Sequence, residues 1–376
     1  MTEFQPFSTV SASQSRRASG YERYRAQRRK QAIQFVGLCG VLTAITIFGG
    51  LMLLFSGPSA QSAPQENPSR EDLAQSNLNY EAVNTPLLGD IEHQLNYFHR
   101  TMMPVKAPTR LIPLSLTQED NALKTRLLQV VQSFEPRFKT HLFYYNPQTG
   151  EYVNIGGDQP VAAASMIKVP VLFQYLRNLD EGRISVTTPI HFLDEDRASG
   201  AGDLQYQAAG QIFPSHHVAT EMIQASDNTC TNLMMTYMGG REWVRQNLQD
   251  LGLQHTEINN ILPDLEGTNT ISMREMVTLL NNIDHGPLLS PTSRQLGLTI
   301  LTGTHNKRLL PAVLPADVVI AHKTGDIGTA LGDVGLIYLP NGKRYAIAVQ
   351  VDRPYNDYTA RTIIQEAARL VYEKNS

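Results

Sequence analysis

The chain has 376 residues, with 32 basic and 35 acidic side chains, a formal net charge of −3 and 41% hydrophobic residues. The near-neutral balance excludes nucleic-acid binding through bulk charge, and the apolar content suffices for a sizeable core. With only Cys39 and Cys230 present, no disulfide framework is expected, and both cysteines read as packing residues.

The N-terminal end is basic: Arg16, Arg17, Arg23, Arg25, Arg28, Arg29 and Lys30 face only Glu3 and Glu22. Residues 35–55, FVGLCGVLTAITIFGGLMLLF, are uncharged, and a helix of that length matches a hydrocarbon core of roughly 30 Å. With the positive charge ahead of it, this run predicts a single-pass anchor: residues 1–34 form a cytoplasmic tail, and everything beyond is periplasmic or extracellular. A cleaved signal peptide is the competing reading, because SGPSAQSA supplies small residues, but the run is long for one. Residues 56–84, rich in Ser, Pro, Gln and Asn, predict a disordered linker. Residues 85–116, with Pro104, Pro108 and Pro113, predict a connecting arm.

Residues 117–376 predict the compact domain. QEDNALKTRLLQVVQSF has helical periodicity, and THLFYYNPQTGEYVNIGG reads as strand, turn and strand. A mostly helical middle runs from Val161 to about Leu301. Strands return in DVVIAHKTG, GDVGLIYLP and RYAIAVQVD, and a last helix presents Ile363, Ile364, Ala367, Leu370 and Val371 to the sheet. Strands at both ends with helices between predict an α+β fold whose one sheet is assembled from distant pieces.

Within AASMIKVP, Ser165 and Lys168 are three residues apart and share one helix face. Pro170 is tolerated only near a helix start, which places Ser165 at or beside an N-terminus. There the helix dipole favours a developing oxyanion, and a desolvated lysine can act as base toward the hydroxyl. An isolated S-x-x-K is weak, but the chain adds Ser226, Asp227 and Asn228 in QASDNTCTNLM and Lys323, Thr324 and Gly325 in AHKTGDIG.

In this order and in the flanking GAGDLQY, LLPAVLP and GDVGLIYLPNGK, residues 117–376 resemble the superfamily of class A β-lactamases and penicillin-binding proteins. The resemblance implies a β-lactamase-like fold, an antiparallel sheet flanked by helices beside an all-helical subdomain. It implies that Ser165 is the nucleophile and Lys168 its proton acceptor, that Ser226 relays a proton to the leaving nitrogen, and that Lys323 polarises Ser226 and holds an anionic group. Asn228 would bind a substrate amide and Thr324 a substrate carboxylate, while the N–H of Ser165 and one after Gly325 would form the oxyanion hole. No metal or organic cofactor is implied, and the expected partner is a β-lactam or a peptidoglycan peptide.

Two features depart from the family pattern. The E-x-x-L-N glutamate that activates the deacylating water is missing from LGLQHTEINNILPDLEGTNTISMREM, whose loop interior offers only Asp264 and Glu266. Glu266 is the candidate base, against a reading as a solvent-exposed turn acid. Asp326 follows K-T-G where the family places a small residue, and a carboxylate there would repel a substrate carboxylate. Arg308, near the position of a carboxylate-assisting arginine, reads as a surface residue.

His216 and His217 lack a zinc-ligand spacing, His322 reads as a packed histidine, and Asp227 reads as a structural acid. The expected function is a membrane-anchored serine hydrolase that forms and hydrolyses an acyl-enzyme on Ser165. The alternatives are a D-alanyl-D-alanine peptidase, transpeptidase or slowly deacylating penicillin-binding protein, and a non-catalytic cell-wall binding module.

Overall fold

The computed structural model describes residues 109–376. The predicted tail 1–34, the apolar run 35–55, the linker 56–84 and the arm through 108 lie outside them. Among the described residues no helix is long and apolar enough to cross a membrane.

The chain folds in the order α1 (Asn121–Gln132), β1 (Lys139–Tyr145), β2 (Tyr152–Ile155), β3 (Val161–Ala162), α2 (Lys168–Asp180), β4 (Pro189–His191) and β5 (Ile212–Pro214). There follow α3 (Ser215–Gln224), α4 (Asn228–Tyr237), α5 (Arg241–Asp250), β6 (Thr270–Ile271), α6 (Met273–His285) and α7 (Pro291–Thr302). The chain closes with β7 (Val319–Ile327), β8 (Ala330–Tyr338), β9 (Arg344–Asp352) and α8 (Thr359–Asn375).

Five strands form one antiparallel sheet in the order β2-β1-β9-β8-β7. Strands from the two ends of the domain thus lie side by side, as the sequence pattern implies. Alternate residues feed two cores. Leu142 and Tyr144 of β1 join Tyr345 and Ile347 of β9 under α1 and α8. Phe143 and Tyr145 join Ala346 and Ala348 against the helical part, including Met276 and Leu279 of α6. Burial on both faces explains why these strands read as apolar runs without alternation.

The helical part surrounds α2, of which only Arg177 is not buried. A helix apolar around its circumference belongs at the centre of a bundle, and this one carries Lys168 at its first position. Residues 111–116, assigned from sequence to the connecting arm, pack onto the domain. Leu111, Leu114 and Leu116 touch the core, and the buried Asn282 side chain holds both backbone groups of Ile112, at 3.0 and 2.9 Å.

Candidate active site

Ser165 lies in a 3-10 turn, Ala164–Ile167, that runs directly into α2. Ala164 is held at φ 45°, a left-handed value that costs free energy in a residue with a Cβ. The turn is braced by β7: a Cβ built on Gly325 would stand 3.1 Å from Ala164 Cβ, Met166 Cγ and Met166 N. A side chain at this point of the K-T-G sequence would crowd the nucleophile turn, because strand and turn are in contact.

Ser226 is also left-handed, at φ 58°. Its neighbour Asp227 caps α4 by accepting from Cys230 N at 2.8 Å, and its second oxygen accepts from Leu204 N at 2.8 Å. The buried carboxylate thus ties the S-D-N turn to the segment GAGDLQY, the structural role expected from the sequence.

The three motifs converge. Lys168 Nζ lies 3.2 Å from Ser165 Oγ, 3.1 Å from Ser226 Oγ, 2.5 Å from Ser226 O and 2.8 Å from Asn228 Oδ1. Lys323 Nζ lies 3.0 Å from the same Ser226 Oγ and donates to Thr324 O at 2.9 Å. Both lysine side chains are fully buried, whereas Ser165 and Ser226 are half-buried at the cleft. Burial, and then the charge of Lys323, hold the Lys168 amine well below the ordinary lysine value. Burial brings Lys323 down to about 8, against the opposing pull of Asp333. Two amines around one hydroxyl can move a proton from Ser165 toward Ser226 without a carboxylate or metal.

Asn228 sits in the cluster, but its amide is already engaged. It accepts from Lys168 and donates to Ser199 O at 2.9 Å. Thr324 is 6% exposed and lies opposite Asp333 in the β7–β8 ladder. His322 faces away from Lys323, with Nδ1 3.0 Å from the buried Asp333 carboxylate. Arg308 is exposed.

The loop between β6 and the preceding helix is closed at its base by reciprocal backbone bonds between Glu257 and Thr270, each 3.0 Å. Its buried acid is Asp264, 3% exposed, which accepts from Thr268 Oγ1 and Asn269 N, both at 2.7 Å. Glu266 is exposed. Among the described residues no carboxylate hydrogen-bonds Ser165 or Lys168. The loop still reaches the site's rim, since a Cβ on Gly267 would meet Ala162 Cβ at 2.7 Å and Ile327 Cδ1 at 3.2 Å.

Asp326 stands near the end of β7. It is ion-paired with Arg353 Nη2, which also donates to Ile327 O at 3.0 Å. Burial pushes the Asp326 carboxyl up, against the pull of Arg353 and Arg361. The sequence carries no local signal for this pair. Arg353 follows β9, and the two residues meet only because β7, β8 and β9 pair in register, Ile327 with Ala330 and Ala330 with Asp352.

Residues 122–374 match the family model described as the β-lactamase enzyme family. A β-lactamase of Streptomyces fradiae is 28% identical over 245 residues, spanning 61% of this chain and 79% of that protein. The extended-spectrum β-lactamase PER-1 of Pseudomonas aeruginosa is 27% identical over 182 residues, 45% of this chain and 59% of that one. Among solved structures, PBP-A superposes with a TM-score of 0.67 and 40% identity over 70% of this chain and 98% of its own, and a point mutant of PBP-A has been solved as an acyl-enzyme complex with penicillin G. The convergence of Ser165, Lys168, Ser226 and Lys323 is thus embedded in a shared fold and sequence: the chain belongs to the β-lactamase enzyme family, within the superfamily of β-lactamases and penicillin-binding proteins, and is a serine hydrolase of that type.

Proposed function

We propose that this protein is a membrane-anchored, penicillin-binding serine acyltransferase or hydrolase, whose Ser165 is acylated by β-lactams or peptidoglycan-type amides and released slowly. The observation that carries the reading is the pair of distances from Lys168 Nζ, 3.2 Å to Ser165 Oγ and 3.1 Å to Ser226 Oγ. A neutral Lys168 takes the Ser165 proton as Oγ attacks the carbonyl carbon. It passes a proton to Ser226, whose own proton goes to the leaving nitrogen, so the C–N bond breaks with charge balanced. Lys323 remains protonated, polarising Ser226 and attracting an anion, while Thr324 and Gly325 line the substrate's path. Backbone N–H groups of Ser165 and the strand after Gly325 hold the oxyanion.

The second half of the cycle needs a base to activate water, and here the slow alternative is favoured over rapid β-lactam hydrolysis. Asp264 is consumed by the loop's own backbone, and the exposed Glu266 makes no hydrogen bond to the site. The penicillin G acyl-enzyme of a PBP-A mutant supports a β-lactam as acyl donor. The basic tail and the uncharged run 35–55 support a cytoplasmic N-terminus, with the catalytic domain beyond the membrane.

Intact-protein mass spectrometry after a benzylpenicillin pulse tests both halves. The expected result is one adduct that persists for many minutes and is absent in Ser165→Ala. The absence of any adduct, with no penicillin consumed, overturns acylation; an adduct that vanishes within seconds while penicillin is hydrolysed overturns slow release.

A further inference from the structure

Behind the K-T-G strand lies a buried pair that the proton transfers at Ser165 do not touch. Gly325 meets the nucleophile turn, so Lys323 and Gly325 face the site while His322 and Thr324 face the opposite core. There the Asp333 carboxylate, 0% exposed, accepts from His322 Nδ1 at 3.0 Å and from Leu310 N at 3.1 Å. The His322 side chain is equally buried, and its carbonyl accepts from Thr304 Oγ1 at 2.6 Å. Its Nε2 is buried and has no hydrogen-bond partner among the described residues. A second N–H on that ring would be left without an acceptor in an apolar core, so the imidazole carries one proton, on Nδ1, and gives it to Asp333. The pair therefore keeps one negative charge away from solvent.

We propose that Asp333, oriented by His322 and Leu310 N, is a positioning residue for acylation: a buried counter-charge behind β7 that keeps Lys323 an ammonium and so sets the alkaline limit of the reaction. The inference rests on the reading that Ser165 is acylated with Lys323 as the cation beside Ser226. In the β7–β8 ladder Lys323 pairs with Val334, the residue after Asp333, and neighbouring strands are only about 4.8 Å apart. The other charged groups around the two are Lys168 on α2, which repels Lys323, Asp227 at the start of α4, which acts on Lys168, and the exposed Lys307, which donates to Thr302 O at 3.1 Å. Asp333 is the carboxylate whose charge pulls on Lys323. Its place on the far face of the strand matters. A carboxylate hydrogen-bonded to Lys323 would compete with Ser226 and with a substrate anion, whereas from behind the strand it leaves the ammonium free to donate to Ser226 Oγ and Thr324 O, with one N–H to spare.

The test follows benzylpenicillin acylation of Ser165 across the pH range in the wild type, Asp333→Asn and His322→Asn. Asp333→Asn removes the charge while its amide oxygen can still accept from Leu310 N. The alkaline limb is expected to move down by about one pH unit, so that the rate well above the limb falls about tenfold relative to wild type. His322→Asn keeps the carboxylate and offers it an amide N–H near the place of Nδ1, and its limb is expected to coincide with that of the wild type whatever the substitution costs in stability. An unmoved limb in Asp333→Asn, or an equal shift in both variants, overturns the inference while the acylation reading stands. Should the variants fail to fold, nitrogen-15 spectra of wild-type His322 decide: Nδ1 protonated and Nε2 bare at neutral pH is the expected result, and a ring protonated on both nitrogens overturns the inference, because the pair then carries no net charge. Failure of benzylpenicillin to label the wild type overturns the acylation reading and the role of Asp333 with it.

Discussion

Lys168 and Lys323 come from opposite sides of the cleft, one from the first turn of α2 and the other from the edge strand β7, and both reach a single atom, Ser226 Oγ, at 3.1 and 3.0 Å. Two cations around one hydroxyl are unfavourable unless one of them gives up its proton. The more perturbed is Lys168, where burial and the charge of Lys323 act in the same direction. Burial and that charge thus both favour the neutral amine at Lys168, whereas at Lys323 the pull of Asp333 opposes the effect of burial.

This division of roles predicts the pH profile of acylation. The rate constant should rise with pH as Lys168 deprotonates and fall again as Lys323 loses its proton near 8. In Lys323→Ala the repelling charge is gone, so the Lys168 amine moves back up and the acid limb shifts to higher pH. The same variant should lose about 10²–10³ in rate through loss of electrostatic stabilisation. Stopped-flow acylation by a chromogenic cephalosporin between pH 5 and 9 measures both effects, and an unmoved acid limb contradicts the coupling.

The parts of this site that were legible in sequence are those whose spacing is local. Ser165 and Lys168 are one helical turn apart, and Lys323-Thr324-Gly325 occupy consecutive positions of a strand, so chemistry and geometry could be read together. The α+β order was legible because apolar strands stand at both ends of the domain. Arg353 was not legible, since its meeting with Asp326 depends on three strands in register and no spacing encodes that. Nor was the engagement of Asn228, whose amide faces Lys168 and Ser199 O in the free protein. The arm misled for a related reason: residues 111–116 look irregular alone, and their order comes from Asn282, some 170 positions further along the chain.

Asn282 is fully buried and substitutes for a strand partner, donating to Ile112 O at 2.9 Å and accepting from Ile112 N at 3.0 Å. Asn282→Ala removes both bonds and leaves two backbone groups of the arm unpaired. A destabilisation of about 2 kcal/mol is expected by chemical denaturation. Asn282→Asp should be harmful as well, because a carboxylate cannot donate to Ile112 O. Wild-type stability in the alanine variant would mean that the apolar contacts of Leu111, Leu114 and Leu116 hold the arm without help.

Gly202 lies at φ 92°, and a Cβ there would fall 2.2 Å from Asp227 Cγ and Oδ2 and 2.3 Å from Asp227 Cα. Such distances cannot be relieved by turning a flexible tip, because Asp227 is buried and fixed by Cys230 N and Leu204 N. Gly202→Ala must displace the S-D-N turn or adopt a strained backbone, at a cost of about 1–3 kcal/mol. The damage should extend to chemistry, since Ser226 precedes Asp227 and its φ of 58° depends on the same turn. A shift of Ser226 Oγ away from the two lysines should slow acylation more than it weakens initial binding. The expected outcome is a melting temperature several degrees lower, with an acylation constant reduced by about tenfold or more at saturating β-lactam. A variant that melts early yet acylates at the wild-type rate would show that the S-D-N turn holds its geometry without Asp227's grip on the GAGDLQY segment.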